Sequence, residues 1–370
     1  MNEPHYLDAN ATQPLRPAAR DAVLSAFAVV GNPSSVHQAG RHVRRIMEDA
    51  REVIAGGFGC QPQDMVFTSG GTEADASAIH AMSQGRRLLV SAIEHDAIRS
   101  ATTGAVVVPV QPNGVVDLEA LERQLGDGVA SLVCLMLANN ETGVIQPVPE
   151  AASICRRHGA LLHVDAVQAA GRMPVHLHLL GAHSLAISSH KLGGPAGVGA
   201  LLLAPDAPFS APLIGGGGQE RGRRGGTPAV ALIAGFAAAV QASENDDLDH
   251  LAGLRDAAES AAVACGAVVC GDPIRRLRNT TCIAWPGAAA GVQVIALDLE
   301  RIAVSAGAAC SSGKVQTSHV LQAMGLGALA GEAIRVSLPW NATRSDIDAF
   351  ATAYQRVSAR LRSALATHAA

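Results

Sequence analysis

Residues 184–204 read SLAISSHKLGGPAGVGALLLA. Two apolar runs flank a polar elbow, Ser-Ser-His-Lys, and a glycine-proline turn. Runs of this length without polar alternation are what strands buried on both faces look like. Four more precede them: MVFTS (65–69), RLLVSA (87–92), ASLVCLMLA (130–138) and ALLHVDA (160–166). Helical stretches separate the runs. VRRIMEDAREVI (43–54) sets Val43, Ile46, Met47, Ala50 and Ile54 on one helical face, and Gly56-Gly57 ends it. Strands alternating with helices predict an α/β layered fold with a mostly parallel sheet.

The chain has 370 residues, enough for two domains sharing a face. Composition shifts at the polar stretch ASENDDLDH (242–250). Beyond it the pattern is α+β: a helix, a strand NTTCIAW, a helix GVQVIALDLE, strands RIAVSA and AIRVSL, and a last helix from Asp346 with Ser345 and Asp348 as a capping box. Lys and Arg number 28 against 32 Asp and Glu, a net charge of −4, so no global field favours nucleic acid or an anionic membrane. The basic runs RHVRR, RGRRGG and RRLR read as solvated faces. No apolar run reaches spanning length, and MNEPHYLDAN has no secretory core. Seven scattered cysteines with no C-x-x-C pair fit reduced cytoplasmic thiols better than disulfides. The pairs CRRH and HLH lack a completing set, so no metal site is expected.

Three constellations carry chemistry. In FTSGGTEADASAIHAM (67–82) a strand, a glycine turn and a helix start succeed one another, with Thr72 as candidate cap and Glu73 in the first turn. Free N–H groups there suit a phosphate; the alternative is an ordinary cap and turn. In LLHVDAVQAAG (161–171) Asp165 closes an apolar strand, either as a buried carboxylate awaiting a cation or as the cap of the next helix. In the opening stretch Lys191 comes just after a strand. A lysine in a partly dry site loses its proton and forms a Schiff base; otherwise it is simply exposed. Together, phosphate cradle, carboxylate and lysine are the parts a pyridoxal phosphate site requires.

Ordered blocks extend this from end to end: YLDANAT, GNPSSVH, FTSGGTEA, EHDAI, NNETGVIQP, HVDAVQ, SSHKLGGPAGVGALL, GGGGQERGRRGGT, SAGAACSSG, SHVLQAMG and IRVSL. With them the chain resembles the NifS/IscS-type cysteine desulfurases, class V aminotransferase-superfamily enzymes of fold-type I. The resemblance implies a large pyridoxal-phosphate domain over 14–245 with a mostly parallel central sheet. It also implies a smaller α+β domain from 1–13 and 246–370 that carries a catalytic cysteine loop. Lys191 would bear the cofactor, Asp165 pair with its ring nitrogen, Gln168 reach its ring oxygen and His95 stack on the ring and move protons. Gly71, Thr72, Ser188 and His190 would hold the phosphate, joined by Thr227 from the partner of a homodimer. Asn140 and Arg335 would grip the substrate, the latter because its fork suits a carboxylate. The sequence departs from the family at Ala76, Ala196, Ala308 and SLPWNAT (337–343), none of which removes a named chemical group.

Cys310 sits in SAGAACSSG (305–313), among Ser, Ala and Gly only. By the resemblance its thiolate would take sulfur from L-cysteine, leaving L-alanine, and pass the persulfide to a sulfur-acceptor protein. Selenocysteine lyase or another class V pyridoxal-phosphate enzyme, and a non-catalytic sulfur-carrier or scaffold protein, are the alternatives. By the resemblance, the chain is expected to lack the C-terminal tail that longer relatives use to dock a scaffold protein, which counts against an iron–sulfur role. Iron–sulfur cluster assembly, tRNA thiolation, DNA phosphorothioation and sulfur-containing metabolites all remain open as destinations.

Overall fold

The computed structural model describes residues 4–307 and 316–369. Every apolar run of the sequence is a strand within it. In chain order the strands are β1 (His5–Tyr6), β2 (Met65–Thr68), β3 (Arg87–Ser91), β4 (Val106–Val108), β5 (Ser131–Met136), β6 (Leu161–Asp165) and β7 (Ser184–Ser188). Then come β8 (Gly199–Leu203), β9 (Val268–Val269), β10 (Thr280–Ala284), β11 (Ile302–Ala303), β12 (Ser305–Ala306) and β13 (Ala333–Ser337). Seven form one sheet in the order β2-β8-β7-β6-β5-β3-β4. It is parallel except at β8, which runs antiparallel to β2 and β7.

The strands read as continuous apolar runs because both faces of this sheet are covered. Alternate side chains enter separate clusters. Val133, Leu135 and Leu162 join Met47, Ile54 and Phe236, from the helices Gln38–Gly57 and Val230–Ser243. Leu132, Cys134 and Leu161 join Ala74, Ala78 and Ile79 of the helix Gly71–Met82 on the other face. Val43, Met47, Ala50 and Ile54 are buried as the helical face requires; Ile46 is half-buried.

A second, antiparallel sheet runs β12-β13-β10-β9. Its core holds Leu251, Leu254, Trp285, Phe350 and Tyr354, together with Leu7 from the N-terminal segment. The run RIAVSA is two strands, not one. β11 pairs with β1, while β12 pairs with β13, so the chain changes sheets at Val304. The last helix starts at Arg344, not Asp346. Its cap is Thr343, whose N–H and hydroxyl donate to Asp346 Oδ2 at 2.8 and 2.7 Å; Asp348 pairs with Arg344 instead. Thr72 is not a cap either: Gly70 is, and Glu73 Oε2 reaches back to the Ser69 N–H at 2.7 Å.

One glycine sets how closely the sheet approaches the 69–72 turn. A Cβ on Gly199 would lie 2.7 Å from both the Gly70 carbonyl carbon and the Ile187 oxygen, backbone atoms that cannot rotate away. Gly199→Ala is expected to destabilise the chain by about 1–3 kcal/mol and to weaken phosphate binding at the turn. Urea unfolding and a phosphate titration check this; an unchanged midpoint would refute it.

Candidate active site

The carboxyl ends of β5, β6 and β7 open into one cavity of about 150 Å³, where ligands bind in sheets of this kind. Gly71, Thr72, His95, Asn140, Asp165, Gln168, Ser188, His190 and Lys191 all line it. Nine residues singled out over more than a hundred positions thus share one wall system.

Each is held by its local sequence. Asn139 shapes the NNETG turn: its Oδ1 accepts from the N–H groups of Glu141 and Thr142 at 2.9 Å each, and its Nδ2 donates to the Ile93 carbonyl at 3.1 Å. That leaves the Asn140 side chain on the cavity. His95 caps the helix Asp96–Ala101, with Nδ1 accepting from the Ala97 N–H at 3.1 Å, which puts the proton of the neutral ring on Nε2. Gly71 stays close-packed, since a Cβ there would meet Val167 Cγ2 at 2.6 Å. No side chain caps the first N–H groups of its helix, so they are available to an anion.

The charges are unusual. Lys191 Nζ donates to the carbonyls of Asn10 and Ala11 at 2.6 and 2.8 Å. Burial first, then Arg172 and Arg335, pull its pKa down to about 7. Burial raises Asp165, whose Oδ1 accepts from the Val167 N–H at 2.8 Å; the carboxylate therefore does act as a local cap as well. Among the described residues neither Lys191 nor Asp165 forms an ion pair. His190 stays neutral, pulled down to about 4 by burial, then Lys191 and Arg172.

Gln168 lines the cavity with its amide already engaged. Nε2 donates to the Asn10 carbonyl at 3.0 Å and Oε1 accepts from Arg172. Two expected residues stand apart from the cavity. Arg335 is held by Asp8 Oδ1 at 2.6 Å and the Asn140 carbonyl at 2.9 Å. Thr227 lines a separate hollow with Thr68, Ser69 and Arg224. Arg224 clasps Glu73 at 2.8 Å, tying that hollow to the glycine turn. Cys310 lies outside the described residues.

Sequence reasoning missed Asp75, which lines the cavity. It meets His163 Nε2 at 3.1 Å, and His163 Nδ1 meets Ser184 Oγ at 2.8 Å. Burial, then Asp165 and Glu94, drive the Asp75 carboxyl well up. The signal was present: Asp75 falls beside Ala74 and Ala78 on the buried face of its helix. Of the residues that brace Lys191 and Gln168, Asn10 was legible only as part of the block YLDANAT, and Arg172 lies in none of the blocks.

Comparison with known proteins bears on this arrangement. A profile of the family described as Aminotransferase class-V matches residues 5–350. A cysteine desulfurase of Cereibacter sphaeroides is 41% identical over 360 residues, covering 93% of this chain and 92% of that protein. An IscS-like cysteine desulfurase of Mycobacterium tuberculosis is 37% identical, covering 97% of each. The X-ray structure of a NifS-like protein from Rickettsia africae superposes with a TM-score of 0.86 at 34% identity, covering 95% of this chain and 98% of that one.

Proposed function

The chain belongs to the class-V aminotransferase family and, within it, to the cysteine desulfurases; from that premise we propose how its residues divide the reaction. The observation that carries the reading is a pair of titratable groups without ion partners on one cavity wall, half-buried Lys191 and buried Asp165. An amine without a carboxylate and a carboxylate without a cation leave room for a group that needs both.

Pyridoxal phosphate is that group. Lys191 would hold its aldehyde carbon, Asp165 its ring nitrogen, His95 its face and Gln168 its ring oxygen. The N–H groups at Gly71 and Thr72, with Ser188 and His190, would seat its phosphate. Thr227 would reach the phosphate of a second copy, making the working unit a homodimer. When bound, the cofactor supplies an aldehyde for amine exchange and a protonated ring that draws electron density from the substrate α-carbon.

Asn140 and Arg335 orient the L-cysteine carboxylate, Arg335 from its place beside the Asn140 carbonyl. Lys191 Nζ, uncharged above about pH 7, takes the α-proton. Cys310 Sγ attacks the substrate sulfur: an S–S bond forms as the Cβ–S bond breaks. L-Alanine leaves, and Cys310 carries a persulfide to an acceptor protein. In the sequence only Ser, Ala and Gly flank Cys310. We place the boundary between the two domains at 245/246, between the helices Val230–Ser243 and Leu248–Ala264. We place the reaction in the cytoplasm, where thiols stay reduced; the cysteines among the described residues are free. No described helix is long and apolar enough to cross a membrane.

The test is steady-state. With pyridoxal phosphate, L-cysteine and a thiol reductant, the purified chain is expected to release alanine and sulfide in equal amounts. Sulfide without alanine, or neither product from cofactor-loaded protein, would refute the assignment.

A further inference from the structure

We propose that Cys270 and Cys282 form a second sulfur-reactive site, a thiol pair that a small persulfide or polysulfide closes to a disulfide. The geometry is one of register. β9 and β10 are antiparallel with Ile283 opposite Val269. The next pair along is therefore Cys282 opposite Cys270, and the Cys270 N–H donates to the Cys282 carbonyl at 2.8 Å. Directly opposed residues point to one face with Cα atoms about 4.5–5.5 Å apart, within the span a disulfide tolerates. Both thiols are free and buried in one apolar cluster.

The two are not equivalent. A hydrogen bond from the Cys282 thiol lowers Cys270 from the ordinary thiol value, and the same bond, then burial, pushes Cys282 up. Cys270 is thus the nucleophile and Cys282 the second thiol. Cys270 also directly succeeds the two-residue edge strand of its sheet, with Val268 exposed, and precedes Gly271 at φ +110°. That short edge is where a small reagent enters.

The oxidant is the sulfane sulfur that the desulfurase reading supplies. Cys270 thiolate takes the outer sulfur of a persulfide RSSH, forming Cys270–S–SH and releasing RSH. Cys282 attacks the sulfur bonded to Cys270 Cβ; the Cys270–Cys282 bond forms and hydrosulfide leaves. One persulfide and two thiols become one thiol, one disulfide and one hydrogen sulfide. The sulfane sulfur gains the two electrons the thiols lose.

The pair lies next to the substrate machinery. Cys282 stands opposite Arg335 in the β10–β13 register. Both thiols pack with Ile93 and Met136, and Met136 lines the cavity. Closing the disulfide therefore acts on the grip for the substrate carboxylate, when product sulfur accumulates faster than an acceptor removes it.

The test uses the cofactor-loaded enzyme and inorganic polysulfide, added from outside so that no turnover of L-cysteine is needed. After denaturation in excess iodoacetamide and tryptic digestion without reductant, peptides 256–275 and 279–301 are expected to be linked. The linked mass is about 2 Da below the sum of the two thiol peptides, and dithiothreitol separates them. Fragmentation places the link at Cys270 rather than Cys265, and Cys270→Ser abolishes it. The KM for L-cysteine rises by about fivefold or more in oxidised wild type and stays unchanged in polysulfide-treated Cys270→Ser. Recovery of Cys270 and Cys282 as separate alkylated thiols, a link through Cys265, or an unchanged KM in the linked enzyme would each overturn the proposal. Failure of the desulfurase reading shows separately, as absent alanine.

Discussion

Replacing Lys191 by alanine is expected to lower alanine formation from L-cysteine by at least about 10³-fold, because one amine serves as cofactor anchor and general base. The chain itself should stay folded. In the cofactor-free protein burial holds Lys191 down to about 7, against about 10.4 in an unfolded chain. Between those values the unfolded chain binds the extra proton. This group therefore makes stability rise with pH from about 7 to about 10.4, and its full cost of a few kcal/mol is present below pH 7. Lys191→Ala deletes that cost and loses two hydrogen bonds, to the Asn10 and Ala11 carbonyls, worth about 1 kcal/mol each. The thermal midpoint of the cofactor-free variant is then expected at or above that of wild type below pH 7, the advantage shrinking as pH rises. In wild type the rate is expected to climb as pH rises through the range in which Lys191 loses its proton. A variant that keeps a tenth of the activity, or melts well below wild type at low pH, would refute this reading of Lys191.

Glu220→Ala is expected to cost about 3–5 kcal/mol of folding stability, the penalty for stranding a buried charge. Arg51 and Glu220 meet at 2.7 Å with both side chains 2% exposed. A second bond joins Arg51 Nη1 to Glu220 Oε2 at 2.9 Å, and the same oxygen accepts from the Phe67 N–H. Removing the carboxylate leaves Arg51 with the Met65 carbonyl and the half-buried Glu48. Glu220 also holds a left-handed backbone, φ 48°, which its ion pair keeps in place. The loss should spread to the 221–227 segment and Thr227. Glu220→Gln, which keeps the hydrogen-bonding shape without the charge, should fall between the two. Chemical unfolding measures both; a cost under about 1 kcal/mol for the alanine variant would show that the pair is dispensable.

Fold and site were legible in the sequence to different depths, for physical reasons. A strand buried on both faces writes itself as an unbroken apolar run, so β2, β3, β5, β6, β7 and β8 stood out. β4 did not: it is a three-residue edge strand flanked by polar turns. RIAVSA hid its break because both halves are strand, and only the change of partner at Val304 separates them. Cap positions slipped by two residues at Thr72 and Ser345: Gly70 starts its helix with no side chain to mark it, and Thr343 offers the same hydroxyl as Ser345. The cavity residues were legible because chemistry restricts residue type: an amine, a carboxylate and a glycine turn at strand ends are not interchangeable. Their support was not. Nothing local marks Asn10 as the carbonyl under Lys191 or Glu220 as the counter-ion of Arg51, because those contacts join positions far apart in the chain; Arg172 stands only four residues from Gln168, but its other contacts, to the Ala9 and Lys191 carbonyls, are distant.

The most direct measurement is a single turnover without reductant. Cofactor-loaded enzyme is mixed with one equivalent of L-cysteine, then quenched, digested and weighed. The expected result is one alanine released per chain and one added sulfur, about 32 Da, on the peptide carrying Cys310. Cys310→Ala should yield neither while still binding cofactor and substrate. Full alanine release from Cys310→Ala, or the added sulfur on another cysteine in wild type, would mean that Cys310 is not the residue that takes sulfur from the substrate.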